Sequence, residues 1–325
     1  MSDPAPLTWQ LIEEARARIG AHVKLTPVLT SATLDALSGA QLYFKCEMFQ
    51  KCGAFKARGA TNAVFALSDA EARHGVATHS SGNHAAALAR AARLRGIRAY
   101  IVMPDNTPQA KRDAVRRYGA EISYCEPTLA ARERAAAQLI ATTGAALVHP
   151  YDNLMVMAGQ GTAAAEFLTQ VPGLEVLICP VGGGGLISGT AVAARAHGGG
   201  IEVLGAEPAG ADDAARSLHA GELLGNTQPL TIADGLRGAL APRTFAEIRR
   251  GVNDIVTVSE AAIVAAMREL WEVMKIIVEP SAAVPYAAVR AGAAQLRGRR
   301  VGIILSGGNL DLDQLPWLPA ARGGA

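Results

Sequence analysis

VLICPVGGGGL, residues 176–186, places an apolar strand directly before four consecutive glycines and the start of a helix. Because glycine has no Cβ, the backbone amides of residues 182–185 can close around an anion. The unpaired N–H groups and the positive dipole end of the following helix point at the same place. A flexible turn is the alternative, but four glycines at such a junction are costly unless a ligand uses them. The stretch therefore predicts a phosphate-binding cup, which is neither a GxGxxG fingerprint nor a P-loop because no Lys-Ser/Thr pair follows.

On both sides of this stretch, short strand-like runs alternate with helical segments that are rich in Ala and Arg. The runs that read as buried strands are residues 76–80, 97–104, 120–125, 146–150, 176–181, 201–206 and 301–305. Thr8 reads as the N-cap of an amphipathic helix that ends near Arg18. Strands that alternate with helices of this length predict parallel sheets covered by helices on both faces. Because no low-complexity linker divides the chain, we expect an α/β protein with two interleaved parallel-sheet domains.

The composition limits the partners of the protein. The 325-residue chain carries 31 Lys and Arg against 29 Asp and Glu, a formal charge of +2, which offers no electrostatic footprint for nucleic acid or a membrane surface. No run reaches the ~18 apolar residues that a membrane-spanning helix requires, and the N-terminus lacks the pattern of a signal peptide. The four cysteines show no CxxC spacing and are expected to be reduced thiols. These features predict a cytoplasmic protein with a small-molecule substrate and without a nucleic-acid or membrane partner.

Two motifs in the first third of the chain suit a bound amino acid. Ser80-Ser81-Gly82-Asn83-His84 follows a strand and begins a helix, where hydroxyls and amides suit a carboxylate, although an ordinary N-cap is the alternative. Lys56, in the stretch GAFKARG, stands between an aromatic residue and small residues. Desolvation there would disfavour the charged amine, as a Schiff-base lysine requires, although an exposed lysine is the alternative.

Two further motifs follow predicted strands in the second half of the chain. Ser306, in the stretch SGGN, comes at the carboxyl edge of a parallel sheet, where ligands bind in open α/β folds. Glu207, with Asp212 and Asp213, offers hard oxygen ligands that suit Mg²⁺ or Ca²⁺, although a solvated acidic turn is the alternative. Together the motifs supply a phosphate cup, an amine, a carboxylate loop and a partner for a ring nitrogen. Those are the parts that an enzyme using pyridoxal 5'-phosphate (PLP) requires.

The order of the motifs resembles a known enzyme family. GAFKARGA, SSGNH, GGGGL, EPAGADD, IADG, VEPSA and LSGGN follow one another as in the fold-type II PLP enzymes, the tryptophan synthase β-like class. The similarity is strongest to the branch that holds serine racemase, serine/threonine dehydratase and 3-hydroxyaspartate dehydratase. It implies a large PLP-binding domain formed by residues 1–75 and 151–325, and a small mobile domain, residues 76–150, that closes over the cofactor. A homodimer is expected.

The resemblance also implies a role for individual residues of this sequence. Lys56 forms the Schiff base with PLP, Phe55 packs beside the ring, and Ser81 lies across the ring as the second catalytic residue. Asn83 meets the 3'-hydroxyl of the ring, and Ser306 faces the pyridine nitrogen. The remaining implied contacts are Gly182, Gly183, Gly184, Gly185 and Leu186 to the phosphate, the amides of Ser80, Ser81, Gly82, Asn83 and His84 to the substrate α-carboxylate, and Glu207, the carbonyl of Ala211 and Asp213 to Mg²⁺ (or Ca²⁺ or Mn²⁺).

Two positions, Ala54 and Tyr151, depart from the racemase pattern, whereas Arg132 agrees with it. Ala54 stands where serine racemases and threonine dehydratases usually carry Ser, whereas hydroxyaspartate dehydratases tend to have Ala. Arg132 falls where the racemases have an arginine that is able to face a second carboxylate. Tyr151 replaces the Asn of animal racemases, which weakens the case for carrying their nucleotide regulation over to this chain. Ala54 and Arg132 together favour 3-hydroxyaspartate as the substrate.

The resemblance implies a dehydratase, or ammonia-lyase, that acts on a small β-hydroxy amino acid. Lys56 would remove the α-proton, the β-hydroxyl would leave as water, and hydrolysis would yield a 2-oxo acid and ammonia. A neutral serine opposite the pyridine nitrogen cannot fix a pyridinium as a carboxylate would, which favours prompt elimination over racemisation. Lys56 and Ser81 on opposite faces are nevertheless the two bases that a racemase needs. A serine/threonine dehydratase and a serine or aspartate racemase therefore stay open, whereas a non-catalytic PLP-binding protein would lose the amine or Ser81.

Overall fold

The computed structural model describes residues 5–80, 82–198, 200–225 and 228–318, which form two β-sheets flanked by helices. The strands are β1 (Val28–Leu29), β2 (Gln41–Cys46), β3 (Val76–His79), β4 (Ala99–Pro104), β5 (Glu121–Cys125), β6 (Ala146–Leu147), β7 (Val176–Pro180), β8 (Glu202–Pro208), β9 (Asp254–Val258) and β10 (Arg300–Leu305). The helices are α1 (Trp9–Ile19), α2 (Ala32–Ser38), α3 (Lys56–Ala66), α4 (Asp69–Ala72), α5 (Asn83–Arg95), α6 (Gln109–Arg116), α7 (Leu129–Thr143), α8 (Leu154–Gln170), α9 (Gly185–Ala196), α10 (Asp213–Ala220), α11 (Pro242–Gly251), α12 (Glu260–Met274), α13 (Pro280–Ala291) and α14 (Ala293–Leu296). The predicted α/β class with two parallel sheets is confirmed.

The larger sheet has six strands in the order β1-β2-β10-β7-β8-β9. All neighbouring pairs are parallel except β1 with β2. β10 pairs with β2 along its whole length, from Arg300 opposite Gln41 to Leu305 opposite Cys46. The strand nearest the C-terminus therefore lies in the middle of the sheet, and its carboxyl end carries Ser306 to the centre of the sheet's edge.

The smaller sheet has four parallel strands in the order β5-β4-β3-β6. These strands all come from residues 76–147, which lie within the segment expected to form the small domain. The division of the chain into a large domain and a small domain that moves stays a prediction.

Helices cover both faces of the larger sheet because its buried strands are apolar on both sides. Along β7, Leu177 and Cys179 belong to a hydrophobic core that includes residues of α8 and α9. The alternate residues Val176 and Ile178 belong to a second core that includes residues of α12 and α13. Successive side chains of a strand point to opposite faces, so one strand supplies both cores. None of the helices in the described part of the chain is long and apolar enough to cross a membrane.

Glycines let three helices of the candidate site approach one another closely. A Cβ on Gly159 of α8 would lie 2.6 Å from the Cα of Gly59 in α3, and a Cβ on Gly161 would lie 3.1 Å from the Cα of Gly189 in α9. Side chains at these positions would force the helices apart. The close packing holds the first turns of α3 and α9 in a fixed relation, and these turns begin at Lys56 and at the glycine cup.

A buried network of charged side chains lies beneath the start of α3. The guanidinium of Arg58 donates to the carboxylate of Glu47 twice at 2.8 Å and to Glu166 at 3.0 and 3.1 Å. Lys45 forms an ion pair with Glu166. Two cations thus face two carboxylates, and each buried charge has a partner. Because Arg58 follows Lys56 by two residues, the network fixes the backbone that carries the candidate Schiff-base lysine.

Candidate active site

Lys56 begins α3 directly beside the carboxyl end of β10. Residues 53–55 run beside residues 306–308, and the amide of Phe55 donates to the carbonyl of Ser306 at 3.0 Å. At the other end of these two segments, the amide of Gly308 donates to the carbonyl of Gly53, also at 3.0 Å. Ser306 itself is buried. The structure thus brings together the candidate Schiff-base lysine and the candidate partner of the ring nitrogen.

The amine of Lys56 has the environment that the sequence indicated. Its Nζ donates to the carbonyl of Pro150 at 3.0 Å and lies 5.0 Å from the centre of the Phe55 ring. The side chain retains some accessible surface, but protein atoms surround the amine, and this burial lowers the pKa of Lys56 to about 8. A nucleophilic amine is therefore available close to neutral pH.

The glycine cup lies at the junction of β7 and α9, where Gly184 is the N-cap with a left-handed backbone, φ 84°. A Cβ on Gly183 would lie 2.3 Å from carbon atoms of the Tyr151 ring, and one on Gly182 would lie 2.9 Å from the Cα of Leu236. From the sequence, we interpreted these glycines as residues that let the backbone close around an anion. The structure adds a second reason, since an aromatic ring and a neighbouring backbone occupy the space that side chains would need. The amide groups at the start of α9 remain available to bind a phosphate.

The loop of residues 80–84 begins α5, and Ser81, the candidate second catalytic residue, lies outside the described residues. The amide of Gly82 donates to Ser80 Oγ at 3.3 Å. His84 is buried, and its Nε2 donates to the carbonyl of Val148 at 3.1 Å, because a carbonyl only accepts. Burial lowers the pKa of His84 to about 3, so the ring is neutral. Its side chain holds the neighbouring chain segment, while the binding of a carboxylate by the loop amides stays a prediction.

The side chain of Asn83, at the start of α5, takes part in a chain of side-chain hydrogen bonds with Glu279 and Asn309. Its Nδ2 donates to Glu279 Oε1 at 2.8 Å, and its Oδ1 accepts from Asn309 Nδ2 at 2.9 Å. Glu279 is buried, and burial raises its pKa to about 8, with the charge of Asp234 adding to the shift. The carboxyl group is thus largely protonated at neutral pH. Asn83 is held from two sides, and its contact with the 3'-hydroxyl of PLP stays a prediction.

The segment of residues 148–153 crosses from the smaller sheet to α8 and lines the site with rings. The His149 ring stands edge-on to the Tyr151 ring, 4.6 Å away, and to the His79 ring, 5.3 Å away. Its Nδ1 accepts from the amide of Asp152 at 2.9 Å, and burial lowers the pKa of His149 to about 4. The ring is therefore neutral at pH 7, with its proton on Nε2. Sequence reasoning did not assign this segment to the site, although Pro150 and His149 end a predicted strand at the sheet edge where ligands bind.

Arg132 lies on α7 beside this group of rings. Its Nε is buried and has no hydrogen-bond partner in the part of the chain that the structure describes. Burial lowers the pKa of His79, and the positive charge of Arg132 lowers it further. Arg132 also lies within electrostatic range of Tyr151, whose pKa burial raises to about 12. A buried guanidinium nitrogen without a partner is costly, so it is a donor that a ligand carboxylate would satisfy.

In the acidic turn, Glu207 near the end of β8 and Asp213 at the start of α10 are buried, whereas Asp212 is partly exposed and pairs with Arg216. Glu207 and Asp213 expose 0 % and 1 % of their surface. Glu207 accepts from the amides of Ala214 and Ala215, and Asp213 accepts from the amide of Leu240 at 3.0 Å. Burial raises the pKa of Glu207 to about 8, with Asp213 adding to the shift. Among the described residues no three His, Cys, Asp or Glu side chains form a metal cluster, so a cation here would also need backbone oxygen.

The sequence profile of the family described as "Pyridoxal-phosphate dependent enzyme" matches residues 19–307. The chain belongs to this family. Serine racemase of Oryza sativa subsp. indica is 50 % identical over 309 residues, which are 94 % of this chain and 91 % of that protein. The β-hydroxyaspartate dehydratase of Paracoccus denitrificans (strain Pd 1222) is 50 % identical over 310 residues, 95 % of this chain and 98 % of that protein. The structure of maize serine racemase superposes with a TM-score of 0.93 at 46 % identity and covers 95 % of each chain.

As a member of the PLP-dependent enzymes, the chain has a site that fits the cofactor. Lys56 offers a desolvated amine, and the start of α9 offers amides and a positive helix end for the phosphate. The Lys56 amine and the glycine cup lie close together, because the Tyr151 ring packs on Gly183 and the carbonyl of the preceding Pro150 accepts a hydrogen bond from Lys56 Nζ. The cofactor assignment thus agrees with both the family and the geometry.

Proposed function

We propose that this PLP-dependent enzyme is a dehydratase that converts 3-hydroxyaspartate, in preference to serine or threonine, to a 2-oxo acid and ammonia in the cytoplasm. The observation that carries the substrate assignment is the buried Nε of Arg132, which has no partner in the described part of the chain. A guanidinium pairs with a carboxylate through a planar fork of donors, so a diacid satisfies it where serine and threonine do not. The similarity to a β-hydroxyaspartate dehydratase supports the same reaction.

The residues of the site have separate tasks in this reaction. When bound, PLP supplies a carbonyl that condenses with an amine and a conjugated ring that takes up negative charge from the α-carbon. Lys56 accepts the α-proton at Nζ, for which its pKa of about 8 is well matched to neutral pH. The amides of residues 80–84 hold the α-carboxylate, and Arg132 holds the second carboxylate. Departure of the β-hydroxyl as water, followed by hydrolysis of the C=N bond of the product, yields the 2-oxo acid and ammonia.

The reaction is tested by incubating the purified protein with serine, threonine and the isomers of 3-hydroxyaspartate, and by measuring ammonia and 2-oxo acid. We expect kcat/KM to be highest for a 3-hydroxyaspartate isomer. Lys56→Ala should remove both turnover and the near-visible absorbance of the bound cofactor. Exchange of the α-proton with solvent without release of ammonia would identify a racemase and overturn the proposal.

The substrate assignment is tested by Arg132→Ala. Loss of the partner of a desolvated carboxylate costs about 2–4 kcal/mol, or roughly 30- to 1,000-fold in kcat/KM for the diacid, while serine turnover changes little. Arg134→Ala is a matched control, since Arg134 is exposed on the same helix. Equal losses for the diacid and for serine would assign Arg132 to folding or closure and would make the enzyme a serine/threonine dehydratase.

We also propose that a divalent cation, Mg²⁺ or else Ca²⁺ or Mn²⁺, binds the acidic turn. Glu207 and Asp213 would hold it with the backbone carbonyl of Ala211, a set of hard oxygen donors that suits these ions. Two neighbouring buried carboxylates support this assignment, because a cation would neutralise their repulsion. The ion would brace the turn and would not act on the substrate.

The oligomeric state that we propose is a homodimer. Large apolar side chains are exposed on the described surface, among them Leu25 at 73 % and Leu230 at 83 %, and a second copy could cover such residues. Size-exclusion chromatography with light scattering would give the mass of the assembly. A monomer at micromolar concentration would contradict the proposal.

A further inference from the structure

The orientation of the Asn83 amide can be deduced from a backbone carbonyl. The carbonyl of Cys52 only accepts, so the Asn309 atom that lies 2.6 Å away must be the side-chain nitrogen. That nitrogen also donates to Asn83 at 2.9 Å, so the Asn83 atom it meets must be the oxygen. The nitrogen of Asn83 is then the atom 2.8 Å from Glu279. One N–H of Asn83 remains that this network does not use.

Glu279 is placed so that it can accept from Asn83 without carrying a charge. A Cβ on Gly307 would lie 2.6 Å from Glu279 Oε1, so only glycine leaves room for the carboxyl group. The charged groups that act on it are Asp234 and Lys111, which form an ion pair with each other. Burial raises the pKa of Glu279 to about 8, Asp234 adds to the shift, and Lys111 opposes it. Below that pH the carboxyl is mostly neutral, and its Oε1 still accepts from Asn83.

We propose that Glu279 and Asn309 are positioning residues that fix the Asn83 amide with its remaining N–H toward the 3'-oxygen of PLP. The inference rests on the proposed PLP-dependent function, because it assumes the predicted contact between Asn83 and the 3'-oxygen of PLP. The Asn309 amide donor excludes the flipped Asn83 amide, which would set two N–H groups against each other and turn a carbonyl lone pair toward the cofactor, and Glu279 Oε1 accepts from Asn83 in the orientation that is left. An N–H at this place stabilises the deprotonated 3'-oxygen and so lowers the pKa of the bound cofactor.

The test is a spectrophotometric titration of the holoprotein between about pH 6 and about pH 10. Glu279→Ala and Asn309→Asp each remove the orientation of the amide, so the apparent pKa of the cofactor absorbance should rise by about one to two units. Asn83→Ala should produce the same shift. Glu279→Gln retains a neutral acceptor and should keep the wild-type titration, as should Glu272→Gln, a control at an exposed position.

Two outcomes would overturn the inference. If Glu279→Ala and Asn309→Asp lower the melting temperature but leave the titration in place, the two residues have only a structural role. If Asn83→Ala leaves it in place, Asn83 does not meet the 3'-oxygen. Asn309 is exposed, so Asn309→Asp gives a folded variant even where the buried Glu279→Ala does not. Ammonia release from 3-hydroxyaspartate by the wild-type protein is measured separately, so a failure of the proposed function is distinguished from a failure of this inference.

Discussion

Replacing Gly183 by alanine should destabilise the protein through one contact. The new Cβ would lie 2.3 Å from two carbon atoms of the Tyr151 ring and 2.5 Å from a third. Carbon atoms pack at about 3.5–4.0 Å, so the ring must move by more than about 1 Å. Overpacking of this kind costs about 1–3 kcal/mol in the free energy of unfolding. The movement should also weaken PLP binding, because Pro150, which holds the Lys56 amine, directly precedes the ring.

A double-mutant cycle separates this contact from any other role of the glycine. Urea unfolding followed by tryptophan fluorescence would give the free energies for Gly183→Ala, Tyr151→Ala and the combination of both. Since the alanine has nothing to clash with once the ring is gone, the combined variant should be no less stable than Tyr151→Ala. The coupling energy should therefore equal the cost of Gly183→Ala alone, about 1–3 kcal/mol.

Gly225→Ala is the matched control, because an added Cβ there meets no atom within 4 Å. Its unfolding free energy should stay within about 0.5 kcal/mol of the wild type. If Gly183→Ala has the same cost with and without the Tyr151 ring, the ring is not the reason for the glycine. The absence of a side chain would then serve the phosphate alone.

Three further predictions follow from the buried charges. Arg58→Leu leaves Glu47 buried without its cation and should lower the free energy of unfolding in urea by about 3–5 kcal/mol. The control Arg16→Leu breaks an exposed pair and should lower it by no more than about 1 kcal/mol. Similar losses for the two variants would show that the buried network does not support the fold. EDTA should lower the melting temperature and the activity, with Mg²⁺ or Ca²⁺ restoring both, and no change on chelation would dismiss the cation site. Because burial lowers the pKa of Lys56 from its ordinary 10.5 to about 8, the rate of PLP attachment to the apoprotein should rise with pH and level off above about 8. A rate that continues to rise toward pH 10 would place the amine in water.

Much of the fold could be predicted because its signals are local. Thr8 caps α1 as expected, since its hydroxyl accepts from the amide of Leu11 at 3.3 Å. The alternation of strands and helices between residues 76 and 206 gave the parallel sheets. The strands β2 and β9 were not identified, although QLYFKC and DIVTV carry the aromatic and β-branched residues that favour strands. Sheet order was out of reach because no local pattern places β10 between β2 and β7.

The candidate site likewise has parts with local sequence signals, which could be predicted, and parts formed by distant residues, which could not. Lys56 and the glycine cup could be proposed from the sequence because each stands in a short motif whose chemistry is visible there. The hydrogen bond between Glu279 and Asn83 could not be proposed in this way, because it joins residues 196 positions apart. The sequence analysis assigned no role to Arg58, and the convergence of carboxylates from distant segments explains its burial. Pairings of distant polar groups are thus what the sequence alone could not provide.

The central position of β10 affects how the protein is made. β2 leaves the ribosome long before its parallel neighbour, and at about 5–20 residues per second the interval between Cys46 and Arg300 lasts roughly 10–50 s. The smaller sheet, drawn from residues 76–147, can form within that time. The edge of β2 must meanwhile stay exposed, as a site for chaperones or for misassembly with other nascent chains. A chain truncated before β10 would leave the six-stranded sheet split in two, so the folding of this sheet is conditional on translation through Leu305.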